Sequence, residues 1–345
     1  MREPFKVLQL GFGAIGRTIA KGILERENLE LVGLVDIDPV LQNQQVEKLL
    51  SLSSESSTII RSNLQETLNE LHNQQVDVAL VLTSSSLEIV APTIFSCLHA
   101  GLDVVSLCEE LSYPFVRHPQ LTQDLNQLAV EVAKTVLGTG INPGYLMDLL
   151  PIVLTAPCQR VDRIHITRYM NSSNRRASFQ EKIGTGMTQD DFRDGVAKKI
   201  ITGHVGLVES IHMIEIALEL NLDYVEELLP EPIIASEETI TSFTTVRKGE
   251  ILGLKSKAIG SQNGKELIKL DFVAFAGASP EYDEIEIRGY PYIRQRFEGG
   301  VHGDLGTVAM VLNMIPLVVE AQPGLLTMND IPCPRNTQRV WKRSR

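Results

Sequence analysis

Positive charge is in short supply: 32 Lys and Arg stand against 43 Asp and Glu, a net charge of −11 over 345 residues. A surface for nucleic acid or an anionic membrane needs clustered cations, so neither is an expected partner. The one basic run, RNTQRVWKRSR at the C-terminal end, reads as a solvated tail. Long apolar runs are lacking as well, and none approaches the roughly eighteen residues of a membrane span. Cysteine is sparse. Cys97, Cys108, Cys158 and Cys333 lie far apart with no CxxC pair and no His at ligand spacing, which argues against a disulfide framework or a zinc site and for reduced thiols. The opening MREPFKVLQLGFG runs straight into a strand, without the apolar core and cleavage site of a signal peptide, so the expected location is cytoplasmic.

What is present is a rhythm. Up to about residue 140, short apolar runs alternate with segments of helical period. KVLQL (6–10), LELVGLVD (29–36), VDVALVLT (76–83), LDVVSLC (102–108) and TVLGTG (135–140) read as strands, with helices over 14–27, 40–51, 63–73, 87–100 and 118–134. A parallel sheet with crossover helices reads this way. SLSSESST at 51–58 reads as a loop before a short strand at 58–60. Beyond residue 140 the strands RVDRIHITRYM, ETITSFTTVRKG, EILGLKSKAIGS, ELIKLDFVAFAG and YDEIEIRGYP are joined by Gly and Asn turns, with helices near 188–198 and 204–220. Asn142 and Pro143 suit the cap and first turn of a helix through NPGYLMDLLPIVLTAP, and a last helix is expected over 304–321. A chain of this length exceeds one typical core. The expected fold is α/β: a Rossmann-type doubly wound parallel sheet over 1–140, then a second α+β domain of mostly antiparallel sheet over 141–300. Residues 301–345 are expected to pack back on the first domain.

LQLGFGAIGRTIA is a strand, a GxGxxG turn and a helix. Gly11 allows the tight turn, Gly13 lets the backbone approach a pyrophosphate, and Gly16 lets helix and strand pack closely, so Gly11, Gly13, Ala14, Ile15 and Gly16 form the candidate phosphate cradle. The second strand ends in Asp36, twenty residues beyond Gly16, where a carboxylate accepts hydrogen bonds from a ribose 2′-hydroxyl and repels a 2′-phosphate. NAD is therefore the preferred cofactor. Arg17 could still touch a phosphate, which leaves NADP possible. Thr83 and Ser84, in the run Thr83–Ser86 at the carboxyl end of the fourth strand, are further cofactor candidates, while Ser85 or Ser86 suits the cap of the next helix.

The following strand ends in SLCEELSYP, which brings Glu109 and Glu110 to the lip where a nicotinamide would lie. Adjacent residues of a strand point to opposite sides, so one of the two is expected to face the cofactor and the other solvent or a helix cap. A carboxylate suits hydride transfer at a carbon bearing nitrogen, because it can take a proton and stabilise a cationic amine or iminium. Alcohol or sugar chemistry would ask for Lys or His at this lip, and the strand end supplies neither.

Four segments, VVSLCEELSYP, GTGINPGYLMDLLP, TGHVGLVESIHMI and GGVHGDLGTVAMVLNMIPLVVEAQPGLLTMNDIP, resemble the 2,4-diaminopentanoate dehydrogenases and related native amine dehydrogenases, similar in fold to dihydrodipicolinate reductase. The resemblance implies NAD(P)-dependent oxidative deamination of an amine or diamino acid to a ketone plus ammonia, reversible as reductive amination. It places the family's glutamate at Glu109 or Glu110, Asn142 in the substrate pocket, Arg168 where some relatives hold a substrate carboxylate, and His204 and Thr307 in the two later motifs. Each also has a plainer reading: Arg168 as a surface arginine, His204 as a helix-start residue, Thr307 as packing within the last helix. The HH-plus-Lys segment and clamp of dihydrodipicolinate reductases are missing, and the EKP-type motif of sugar dehydrogenases is replaced by Glu109-Glu110-Leu111, which removes their lysine.

His204, Glu209 and His212 lack the spacing of a helical HExxH site, so no metal is expected. A diamino acid would need a cation such as Arg168, whereas a simple alkyl amine would want an apolar pocket from Ile141, Tyr145 and Leu146; the sequence leaves both open. Related folds suggest a homodimer through the second domain's sheet. The alternatives are another imine or ketone oxidoreductase of this fold and a non-catalytic NAD sensor.

Overall fold

In the computed structural model, residues 3–52 and 58–337 are described. Part of the serine-rich stretch, 53–57, and the basic tail from 338 lie outside them. The chain divides into two compact units, the described parts of Met1–Tyr145 with Gly303–Arg345, and Leu146–His302.

The first unit runs β1 (Phe5–Leu10), α1 (Ala14–Leu24), β2 (Leu29–Val35), α2 (Val46–Leu49), β3 (Ile60–Arg61), α3 (Leu64–Leu71), β4 (Val78–Val81), α4 (Leu87–His99), β5 (Asp103–Ser106), α5 (Pro119–Glu131) and β6 (Thr135–Gly138). Its strands pair in parallel in the order β6-β5-β4-β1-β2-β3, so β1 is central and the order reverses between β1 and β4. Every residue of β4, β5 and β6 is buried, as expected of parallel strands covered on both faces. The helix expected over 40–51 shrinks to α2. Asp38 accepts the N–H of Val40 at 2.9 Å, and Asn43 adopts a φ of 61°, so this stretch is spent on turns.

The second unit contains α6 (Leu149–Leu154), β7 (Arg160–Asn171), α7 (Ala177–Lys182), α8 (Gln189–Ala197), α9 (Leu207–Ala217), β8 (Tyr224–Ile234), β9 (Thr239–Ile240), β10 (Thr245–Val246), β11 (Ile251–Gln262), β12 (Lys265–Phe275), β13 (Tyr282–Tyr290) and β14 (Ile293–Glu298). Six strands form one sheet in the order β14-β13-β7-β12-β11-β8, antiparallel except where β7 meets β12. The helix expected to start at Asn142 begins instead at Leu149, whose N–H is accepted by Asp148. Gly144, at φ 123°, brings its α-carbon so near Gly140 that a Cβ would stand 2.6 Å from the Gly140 nitrogen. The chain doubles back there and cannot be helical. ETITSFTTVRKG, expected as one strand, is the short β9–β10 hairpin, because Thr241 accepts the N–H groups of Phe243 and Thr244 and closes a turn in its middle.

The chain then returns to the first unit as α10 (Gly303–Val319), which packs on α1, β5 and β6, and as β15 (Gly324–Leu326), which adds in parallel to the free edge of β6. Among the described residues no helix is long and apolar enough to cross a membrane.

Candidate active site

The candidate residues of the first unit hang on the carboxyl ends of β1, β2, β4, β5 and β6, the edge where open α/β sheets take their ligands. At its centre, Gly11 has a φ of 106°, and a Cβ there would come within 3.2 Å of the Leu82 carbonyl oxygen, so glycine lets the β1 and β4 loops meet. Gly16 is held harder: its Cβ would lie 2.3 Å from the Gly11 carbonyl oxygen. A Cβ on Gly13 would meet nothing within 4 Å. The protein's own packing therefore makes no demand for glycine at 13, and a ligand lying on the turn would.

Gly13 precedes α1, where the N–H groups of Ala14, Ile15 and Gly16 have no intrahelical acceptor. Gly13 and Ala14 are exposed and Ile15 is half-buried. That is the chemistry of an anion cradle. Gly13→Ala should leave the thermal midpoint near wild type and weaken dinucleotide binding. Gly16→Ala should destabilise the fold itself by about 1–3 kcal/mol through overpacking. Calorimetry and equilibrium binding separate the two effects.

Gln9 was not singled out in the sequence. Fully buried on β1, it donates from its amide to the carbonyl oxygens of Gly11 and Gly16, both at 2.8 Å, and so ties the two ends of the turn together. The signal was there to read: a lone amide inside the apolar run KVLQL. Asp36 follows β2, and its carboxylate accepts the N–H groups of Phe12 at 2.5 Å and Asp38 at 2.8 Å. A carboxylate has about four acceptor positions, so two such bonds orient it and leave room for ribose hydroxyls. Arg17 lies over the Phe12 ring at 4.6 Å.

On the β4–α4 loop Thr83 is exposed, while the Ser84 hydroxyl accepts the N–H of Ser86 at 3.2 Å. Ser86 is the cap residue of α4 but makes no side-chain cap bond. The expected serine cap is thus replaced: Glu110 Oε2 accepts the N–H of Leu87, the first residue of α4, at 2.8 Å. The two glutamates stand not on an extended strand end but on a 3-10 turn, Glu109–Ser112, because β5 stops at Ser106 and the Cys108 N–H turns back to the Ser106 hydroxyl at 3.1 Å. Their surroundings differ. Glu110 faces α4 and His118, whose Nε2 lies 3.0 Å from the same oxygen. A histidine therefore does reach this lip, from α5's cap position, contrary to the reading of the strand end alone. The half-buried Glu109 side chain has no such engagement. Burial pushes the neighbouring Cys108 thiol up to about 12, which leaves it protonated and inert.

Asn142 is buried in the loop after β6, and the next-door Ile141 N–H donates to Thr307 Oγ1 on α10 at 3.3 Å. Thr307 is thereby tied to the loop that carries Asn142.

In the second unit, Arg168 on β7 is only 3% exposed. Its Nε donates to Asp283 on β13 and its Nη2 to the Val301 carbonyl, both at 2.8 Å, while Asp283 also accepts the Val301 N–H at 2.7 Å. The plainer reading of Arg168 as a surface residue is overturned. Its availability to a substrate carboxylate is curtailed too, since its charge is already met by Asp283. The His204 ring stacks on Phe272, centroids 4.4 Å apart. Burial first, then the cations Arg168 and Lys182, push its pKa down to about 3, so any part it takes in binding is that of a neutral imidazole. Among the described residues no cluster of His, Cys, Asp and Glu could hold a metal ion.

Known proteins resemble the chain in sequence and in fold. Residues 145–344 match the family described as 2,4-diaminopentanoate dehydrogenase C-terminal domain. The chain is 32% identical over 339 residues to a 2,4-diaminopentanoate dehydrogenase of Acetoanaerobium sticklandii, covering 96% of this chain and 95% of that protein. Among solved structures, an amine dehydrogenase from Mycobacterium smegmatis superposes with a TM-score of 0.86 at 20% identity, over 97% of this chain and 98% of that one. A dipicolinate-bound dihydrodipicolinate reductase from Paenisporosarcina sp. TG-14 shares the fold more loosely, with a TM-score of 0.52 at 14% identity over 94% of this chain and 98% of that one. The chain belongs to the 2,4-diaminopentanoate dehydrogenase family of oxidoreductases.

Proposed function

We propose that the protein is a nicotinamide-dependent amine dehydrogenase that converts an amine or a diamino acid resembling 2,4-diaminopentanoate to the ketone and ammonia, and runs in reverse as a reductive amination. The observation that carries this reading is the carboxyl end of the parallel sheet, which carries both the Glu109 turn that follows β5 and, after β1, a glycine turn whose Gly13 has open space for a ligand. Family membership supports the same chemistry.

The α1 N-terminus and Gly13 would hold the pyrophosphate, Asp36 the adenosine ribose, and Thr83 and Ser84 the nicotinamide half. A nicotinamide held there would supply the acceptor for the hydride of the amine-bearing carbon. Glu109 accepts a proton from the substrate ammonium and passes it to solvent, and the regenerated carboxylate stabilises the positive charge that develops on the C–N unit as the hydride leaves. It can then assist the water that adds to the resulting iminium before ammonia leaves. Asn142 and Thr307, joined through Ile141, supply polar contacts to the substrate's functional groups.

The test is a spectrophotometric screen of the purified protein with 2,4-diaminopentanoate and a panel of alkyl amines, with ammonia assayed in parallel. Amine-dependent reduction of the cofactor with matching ammonia release is expected, with a higher kcat/KM for NAD than for NADP because of Asp36. Tight NAD binding with no turnover on any amine, alcohol or imine would turn the reading toward a sensor. The proposed setting is the cytoplasm and the proposed assembly a homodimer on the second unit's sheet, which sedimentation analysis would check.

A further inference from the structure

Glu109 sits on a single 3-10 turn of four residues, which has few hydrogen bonds of its own to fix its direction. Its neighbours supply the anchorage. On one side, Glu110 Oε2 accepts the Leu87 N–H at 2.8 Å and faces His118 Nε2 at 3.0 Å. Arg117 lies 3.9 Å from its other oxygen, and Glu88 lies 3.9 Å from the far nitrogen of His118. The Glu110 backbone N–H points at the Ser85 carbonyl at 3.4 Å. On the other side, Cys108 Sγ reaches that same carbonyl at 3.1 Å. The Cys108 N–H donates to Ser106 Oγ, which donates to the Val81 carbonyl at 2.9 Å. Both flanks of Glu109 are therefore fastened to the end of β4 and the loop that carries Thr83 and Ser84.

Resting on the reading of Glu109 as the catalytic carboxylate, we propose that Glu110 is a positioning residue: gripped between the N-terminus of α4 and His118, it holds the turn bearing Glu109 in register with the Thr83–Ser86 loop. The pair of glutamates thus divides its labour. One carboxylate meets the substrate, and the other is spent inside the protein so that the first is aimed. A carboxylate at a helix start is also favoured by the helix dipole, which makes the anchor a firm one.

Glu110→Gln keeps the one oxygen that meets both Leu87 N–H and His118 Nε2, with its amide replacing the oxygen that faces Arg117, whereas Glu110→Ala removes both contacts. Because a displacement of about 1 Å can cost about a hundredfold in rate, the alanine variant is expected to lose roughly ten- to a hundredfold in kcat with nearly unchanged cofactor affinity. The glutamine variant is expected to stay within about threefold of wild type and to keep its pH profile, a rescue that mere proton transfer by Glu110 would not allow. His118→Ala should fall between the two, and adding it to Glu110→Ala should cost little more, since coupled partners are not additive.

Two outcomes overturn the proposal. If Glu110→Gln falls as far as Glu109→Gln, or loses the acid limb of the kcat profile, Glu110 handles the proton itself. If Glu110→Ala, or His118→Ala where the former does not fold, keeps wild-type kcat while melting earlier, Glu110 is a helix cap and no more. Turnover surviving in Glu109→Gln would instead defeat the reading of the site, and the Glu110 variants would not be needed to show it.

Discussion

Glu109→Gln is expected to lower kcat by about 10²–10⁴, the range associated with loss of a positioned acid or base, while NAD affinity and thermal midpoint stay close to wild type. The side chain is half-buried on its turn and is not used to hold the fold, in contrast to Glu110 one residue on. Glutamine keeps the shape and loses both the negative charge and the ability to accept a proton. The charge matters most where positive charge grows on the substrate's C–N unit, so the loss should appear in kcat and in kcat/KM alike. Steady-state kinetics in the deamination direction, with dinucleotide binding followed by fluorescence, provide the check. A kcat within tenfold of wild type would remove Glu109 from the chemistry.

The glycine turn and its strand–turn–helix setting were legible because their physics is local: three glycines, a helix start and Asp36 all fall within one βαβ unit. The parallel and antiparallel halves were legible for a similar reason, since buried parallel strands read as unbroken apolar runs and the second sheet's strands alternate. What escaped notice depended on partners remote in sequence. Nothing around Arg168 announces Asp283, which is 115 residues away, and the division of roles between Glu109 and Glu110 turns on where the start of α4, 23 residues earlier, lies in space. His118 was invisible at the lip for the same reason. β8 was overlooked because Pro230 and Pro232 interrupt its pattern; as the edge strand of its sheet, paired only with β11, it tolerates residues that cannot donate to a ladder. Gln9 could have been noticed from sequence, but its partners, the carbonyls of Gly11 and Gly16, are defined only once the turn has folded.

Arg168→Met should destabilise the protein by about 3–5 kcal/mol, because it leaves the Asp283 carboxylate buried without its counter-charge. The loss is more than that of one ion pair. Arg168 and Asp283 together hold the carbonyl and N–H of Val301, so the substitution also frees the backbone just before α10. Replacing both charges, as in Arg168→Met with Asp283→Leu, should recover a large part of the stability, since the uncompensated carboxylate and not the missing attraction is the main cost. Denaturant unfolding of the two variants measures this directly. The same variants decide the place of Arg168 in recognition. If its charge is used up within the second unit, the folded double variant should discriminate between a diamino acid and an alkyl amine as the wild type does. If the double variant instead raises KM selectively for the diamino acid, the guanidinium still reaches a carboxylate despite Asp283, and the pair is a substrate clamp whose stability is secondary.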